Sequence, residues 1–96
     1  MSGVYVLFQL VIDDIDAYRE YEAVDHRGML EKFNGKFVGA DAAAEVLEGQ
    51  WPYRTALVEF PTRELAHAWF ESPEYRAAAE LRHRSATSNV VIISGV

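Results

Sequence analysis

The sequence predicts an α+β fold in which one antiparallel sheet carries its helices on a single face, in ferredoxin-like order. Three observations predict it. The runs Val4–Ile12 and Val90–Ile93 are apolar on both faces. Between them, strand and helix patterns follow the order β-α-β-β-α-α-β, the layout of a split βαβ sheet. The chain has 96 residues, enough for one domain spanning 1–96 and too few for two.

Each element has its own signal. In Val4–Ile12, the series Val4, Val6, Phe8, Leu10 and Ile12 alternates with Tyr5, Leu7 and Val11, and only Gln9 interrupts. A run apolar on both faces is a central strand covered on both sides. Asp13, Asp14 and Asp16 supply an N-cap and first-turn acids for a helix from Ile15 to Phe33, which Asn34-Gly35 ends. Lys36–Ala40 and Ala43–Glu48 read as two short strands turning at Asp41-Ala42, and Tyr53–Phe60 as a stronger one. Pro61-Thr62 opens a second helix reaching Glu71, with Leu65, Ala66, Trp69 and Phe70 on its inner side. Ser72-Pro73 starts a third, running to Arg84, with proline in the first turn. Ser88–Val96 is the closing strand.

Helices on one face leave the other face of the sheet bare, yet the first and last strands are apolar on both. A large exposed apolar patch marks an interface. The simplest cover is a second sheet, so a homodimer through the sheet faces is expected.

Composition narrows the function classes. Half of the residues are hydrophobic and 12% aromatic, which favours a packed core over disorder. Nine Lys and Arg against 15 Asp and Glu give a net charge of −6. That balance argues against a nucleic-acid or anionic-membrane partner. With no cysteine, disulfides, thiolate nucleophiles and cysteine metal sites are excluded. His26, His67 and His83 have no metal-ligand spacing, and no apolar run reaches membrane-spanning length. Met1-Ser2-Gly3 leads straight into Val4 without a charged start or cleavage site, so a cytoplasmic location is expected.

The strings Asn34-Gly35-Lys36-Phe37, Glu45-Val46-Leu47-Glu48-Gly49-Gln50-Trp51, Arg54 and Glu59-Phe60-Pro61 occur in order. Ala66, Trp69, Ser72-Pro73-Glu74-Tyr75, Arg82 and Gly95 follow them. Together they resemble the family named domain of unknown function 1330 along essentially the whole chain. The resemblance implies the dimeric α+β barrel, in which two ferredoxin-like sheets pack face to face. It implies no reaction. The chain departs from the family pattern at Asn34, where Gly-Gly is usual, and at Gly39-Ala40, near which an arginine is frequent. It departs again at Asp25-His26, around which a proline is frequent.

Candidate chemistry comes from polar residues phased onto apolar helix faces. At 100° per residue, Ile15, Tyr18, Met29 and Phe33 form one stripe, with Glu22 and His26 in its middle. One reading places a carboxylate–imidazole pair in the cleft between helix and sheet, with Glu22 orienting His26 as a general base. In the plainer reading the helix bends between Asp25 and Gly28, and both side chains meet solvent. Tyr75, Ala78, Ala79 and Arg82 share a second face. An arginine on an apolar face needs an acid or an anionic ligand, so Arg82 either pairs with Glu48 or Glu59 or binds a ligand. Arg54 and Glu59, five apart on one strand, face opposite sides of the sheet. Tyr18, Tyr75 and Trp69 supply apolar walls for a pocket, or simply core.

Two functions fit. The chain binds or converts a small anionic or aromatic molecule in the helix–sheet cleft without a cofactor, using His26 and Glu22 for proton transfer and Arg82, Tyr18, Tyr75 and Trp69 for binding. Alternatively it is a non-catalytic accessory or regulatory dimer. Haem binding is set aside because no histidine is placed as an axial ligand.

Overall fold

The computed structural model describes residues 3–96. The expectation about a leader rests partly on Met1 and Ser2, which lie outside the described residues. The elements are β1 (Val4–Ile12), α1 (Ile15–Glu22), α2 (His26–Glu31), β2 (Lys36–Asp41), β3 (Arg54–Phe60), α3 (Arg63–Phe70), α4 (Pro73–Ser85) and β4 (Ala86–Ser94). The four strands form one antiparallel sheet in the order β2-β3-β1-β4. This is the ferredoxin-like layout, and the fold class is α+β.

The inner face of the sheet makes the core. Val4, Val6, Phe8 and Leu10 of β1 and Val58 and Phe60 of β3 are buried there. Tyr18, Tyr21, Leu30, Ala66, Trp69, Tyr75, Ala78 and Ala79 of the helices pack onto them. The outer face carries the other set. Register places Leu57, Leu7 and Val91 in one row and Tyr5 and Ile93 in the next, with Gln9 and Asn89 hydrogen-bonded beside them (2.7 Å). Val11, Val91 and Ile93 are exposed within the single chain. Side chains alternate faces along a strand, which is how β1 is apolar on both.

Caps follow the sequence signals. Asp14, Thr62 and Ser72 each accept a backbone N–H at the start of α1, α3 and α4. Asn34 adopts the left-handed conformation (φ 59°), which asparagine tolerates better than most residues. Gly35 follows with no room for a side chain, because a Cβ there would collide with the Phe60 ring.

Three expectations are corrected. The long first helix is two helices: α1 ends at Glu22, and α2 begins at His26 with Asp25 as its cap. Ala43–Glu48 forms no strand. Asp41 accepts the Ala43 N–H at 2.9 Å and turns the chain away, leaving β2 at the sheet edge with no neighbour for that segment. β4 begins two residues early, at Ala86, directly from the end of α4. β2, β3, α3 and α4 otherwise fall within a residue or two of expectation.

Candidate functional site

The break between α1 and α2 opens a cleft of about 460 Å³ between the helices and the β2–β3 end of the sheet. Phe8, Leu10, Leu30, Ala56, Val58 and Trp69 supply its apolar walls, and its polar groups include those of Tyr18, Glu22, Asp25, His26, Arg27, Asp41 and Arg54. Four of the sequence-predicted residues, Tyr18, Glu22, His26 and Trp69, therefore share one cavity. Tyr75 and Arg82 do not line it.

His26 sits at the first turn of α2, half-buried. Its Nε2–H donates to the carbonyl oxygen of Tyr21 (2.7 Å), since a carbonyl can only accept. Its Nδ1 has no partner among the described residues and is not sealed from solvent. Burial lowers the pKa of His26 below the ordinary histidine value of 6.5, against the opposing pull of the Tyr21 carbonyl, Asp25 and Glu22. The ring is thus held neutral near pH 7, with a free lone pair on Nδ1.

The Glu22–His26 pair of the first reading does not form, and the helix breaks between them as in the plainer one. Glu22 instead takes Arg54 (2.6 Å) across the mouth of the cleft. Register explains this: Arg54 pairs with Leu10 on the inner face, in phase with Ala56, Val58 and Phe60. Its guanidinium also lies 5.3 Å over the Tyr18 ring. Glu59 is on the outer face opposite Tyr5, as the five-residue separation requires. Arg54 is the residue the helix-phase argument overlooked, although the period-two pattern of β3 marks it. Tyr21 was also missed as a site residue, because its contribution is a backbone oxygen.

Tyr18 is 4% exposed. Its hydroxyl has no partner among the described residues and is not sealed, so it keeps contact with the cleft's solvent. Burial raises its pKa, with Arg54 opposing, so the phenol stays protonated and can donate.

Arg82 lies behind the cleft wall, 2% exposed, with its guanidinium 5.4 Å from the Phe8 ring. It pairs with neither Glu48 nor Glu59. Nη1 donates to Ser88 Oγ, and Nε is buried without a partner among the described residues. Trp69 Nε1 is likewise buried and unpartnered. Tyr75 is fully buried, and its hydroxyl shares a 2.7 Å hydrogen bond with that of Tyr21. Burial pushes the Tyr21 phenol far up. Tyr75 also stacks on Trp69 at 4.4 Å between ring centroids. These residues stiffen the wall that Phe8, Tyr21 and Trp69 present to the cleft. His67 is exposed and reaches Glu71 at 3.2 Å.

Among the described residues, no cluster of three or more His, Asp or Glu side chains is arranged to hold a metal ion. Among the same residues, no helix is long and apolar enough to cross a membrane.

Comparison with known proteins agrees with this architecture. No curated protein matches the sequence. Among solved structures, the chain is similar to a protein of unknown function from Rhodopseudomonas palustris, with TM-score 0.77 and 18% identity over 97% of this chain and 82% of that one. It is similar to SnoaB, a cofactor-independent oxygenase from Streptomyces nogalater, with TM-score 0.70 and 11% identity over 97% and 92%. A dimeric protein of unknown function with a ferredoxin-like fold from Bacteroides fragilis aligns with TM-score 0.62 and 13% identity over 96% and 95%. At such identities the likeness is one of fold. The family model for Domain of unknown function (DUF1330) matches residues 3–96, and the chain belongs to that family.

Proposed function

We propose that the protein binds a small aromatic or anionic molecule in the α1–α2 cleft, with His26 as proton acceptor. The observation that carries this reading is the imidazole. Its Nε2–H is committed to the Tyr21 carbonyl, and Nδ1, which has no partner among the described residues, belongs to a side chain that lines a largely apolar cavity. Neutral histidine with one nitrogen anchored is the form a general base requires. Glu22 acts on His26 only through space, since its carboxylate is bound to Arg54. Tyr18 and Trp69 serve as ligand walls, whereas Tyr75 and Arg82 act from behind, holding Tyr21, Trp69 and Phe8 in place. SnoaB, described as a cofactor-independent oxygenase, supports the idea that this fold can work without a cofactor, by analogy of fold alone.

The reading includes a homodimer of 96-residue domains, joined through the outer sheet faces. Leu7, Leu57, Val91 and Ile93 would meet their counterparts there, closing the barrel. The Bacteroides fragilis neighbour is described as dimeric. The alternative, a non-catalytic accessory dimer, shares the interface and lacks the ligand.

Two experiments separate these. Backbone and side-chain NMR during a screen of small phenols and carboxylates should move Tyr18, His26 and Trp69 together. Shifts on other surfaces only, or none, favour the accessory dimer. Light scattering should give twice the 10.8 kDa chain mass, and Leu7→Glu should give a monomer or an insoluble chain. A concentration-independent mass of one chain would remove the interface.

A further inference from the structure

We infer that the cleft selects a neutral aromatic hydroxy compound, a phenol or stable enol, over a carboxylate of the same shape. This rests on the cleft reading above and names its ligand class.

The charges around the cavity carry the argument. Its lining holds three carboxylates, Glu22, Asp25 and Asp41, against two guanidiniums, Arg27 and Arg54. Arg54 is already engaged by Glu22 at 2.6 Å. The lining is therefore net acidic while His26 is neutral. A permanently ionised carboxylate enters against that field, and among the described residues no buried cation lines the cleft: Arg27 is exposed, and Arg82 lies behind the Phe8 ring. A neutral hydroxyl meets no such barrier.

Two unpartnered polar groups then fit a hydroxyl. The Nδ1 lone pair of His26 accepts its hydrogen bond, and the protonated Tyr18 hydroxyl donates one to the same oxygen or to a neighbouring carbonyl. Tyr18 is buried and His26 half-buried, and Phe8, Leu10, Leu30 and Val58 supply apolar wall to the same cleft. When the ligand ionises, the O–H bond breaks, the proton passes to Nδ1 and the electron pair stays on oxygen. The new anion is then paired with the imidazolium it created, so the net charge of the filled cleft does not change. A carboxylate, which brings its charge but no proton, gains none of this compensation.

The test compares 2-naphthol with 2-naphthoate, which share a ring system, at neutral pH. NMR titration of the dimer should show 2-naphthol bound at least about tenfold more tightly, the scale of one hydrogen bond made or lost, with Tyr18 and His26 shifting. His26→Gln should weaken 2-naphthol about tenfold, and Tyr18→Phe should weaken it by a smaller factor while both variants stay folded. Asp41→Asn keeps the turn acceptor for Ala43 and removes one carboxylate, so it should narrow the preference for 2-naphthol over 2-naphthoate about twofold. If 2-naphthoate binds as tightly as 2-naphthol with His26 shifting, the selectivity is overturned while the cleft reading stands. If neither compound at millimolar concentration moves His26 or Tyr18, both fall.

Discussion

The mouth of the cleft and the wall behind it treat polar groups in opposite ways. At the mouth, Glu22, Arg54 and His26 all find partners or solvent: an ion pair at 2.6 Å and a histidine bonded to a carbonyl at 2.7 Å. Behind the wall, among the described residues, Arg82 and Trp69 each leave a buried nitrogen without a partner, and no acid pairs with the guanidinium. Sequence phase marked Glu22, His26 and Arg82 identically, as polar residues on apolar faces. They differ because the chain breaks between α1 and α2, which frees the first two, while α4 is continuous and carries Arg82 under the sheet. A polar residue on an apolar stripe thus means different things in a helix that ends and in one that does not.

Substitutions sharpen this contrast. Trp69→Ala should have the largest effect, destabilising the fold by about 3–5 kcal/mol in denaturant unfolding, because Trp69 packs on Phe8, Phe60, Phe70 and Tyr75. Arg82→Met should be neutral or stabilising by about 1 kcal/mol, since it replaces an uncompensated buried cation with an apolar chain of similar length. A loss beyond about 3 kcal/mol would mean that an anion pairs with Arg82 in solution. Glu22→Gln should cost only a few tenths of a kcal/mol, about the worth of a part-exposed ion pair.

The contrast also has a pH direction. The folded pKa of His26 lies below 6.5 because of burial, so below that value the unfolded chain binds the proton more readily. Stability should fall as pH drops through 6.5 and level off once the folded-state pKa is passed. His83 is shifted the same way, by desolvation first and then by Arg82 and Arg76. His26→Gln should therefore reduce the slope of stability against pH between neutral and mildly acid solution without abolishing it. An unchanged slope would place His26 in solvent.

Much of the fold was legible in the sequence. The two-faced run of β1 predicted a central strand, the two-faced runs of β1 and β4 predicted a bare sheet face, and the stripe Tyr75, Ala78, Ala79 and Arg82 predicted the buried side of α4. The segment Ala43–Glu48 misled, because Val46 and Leu47 have strand-forming side chains but the segment has no strand beside it; Leu47 is 88% exposed. Of the residues singled out for the proposed site, Tyr18, Glu22, His26 and Trp69 share the cleft and Tyr75 and Arg82 do not, and the bonds these residues make were not legible. Glu22 and Arg54 are 32 positions apart, and only the register of β3 on β1 brings them together. The Arg82–Ser88 bond depends on β4 leaving α4 without a linker. The anchoring of His26 depends on a backbone oxygen, which no side-chain pattern reveals.

Whether His26 is a neutral base with Nε2 anchored and Nδ1 open is read by an imidazole ¹⁵N NMR titration of the ligand-free protein. His26 should carry its proton on Nε2 near pH 7 and titrate below 6.5, with both features lost when the chain is unfolded in urea. A His26 that carries its proton on Nδ1, or that titrates at or above 6.5 in the folded protein, would contradict this assignment.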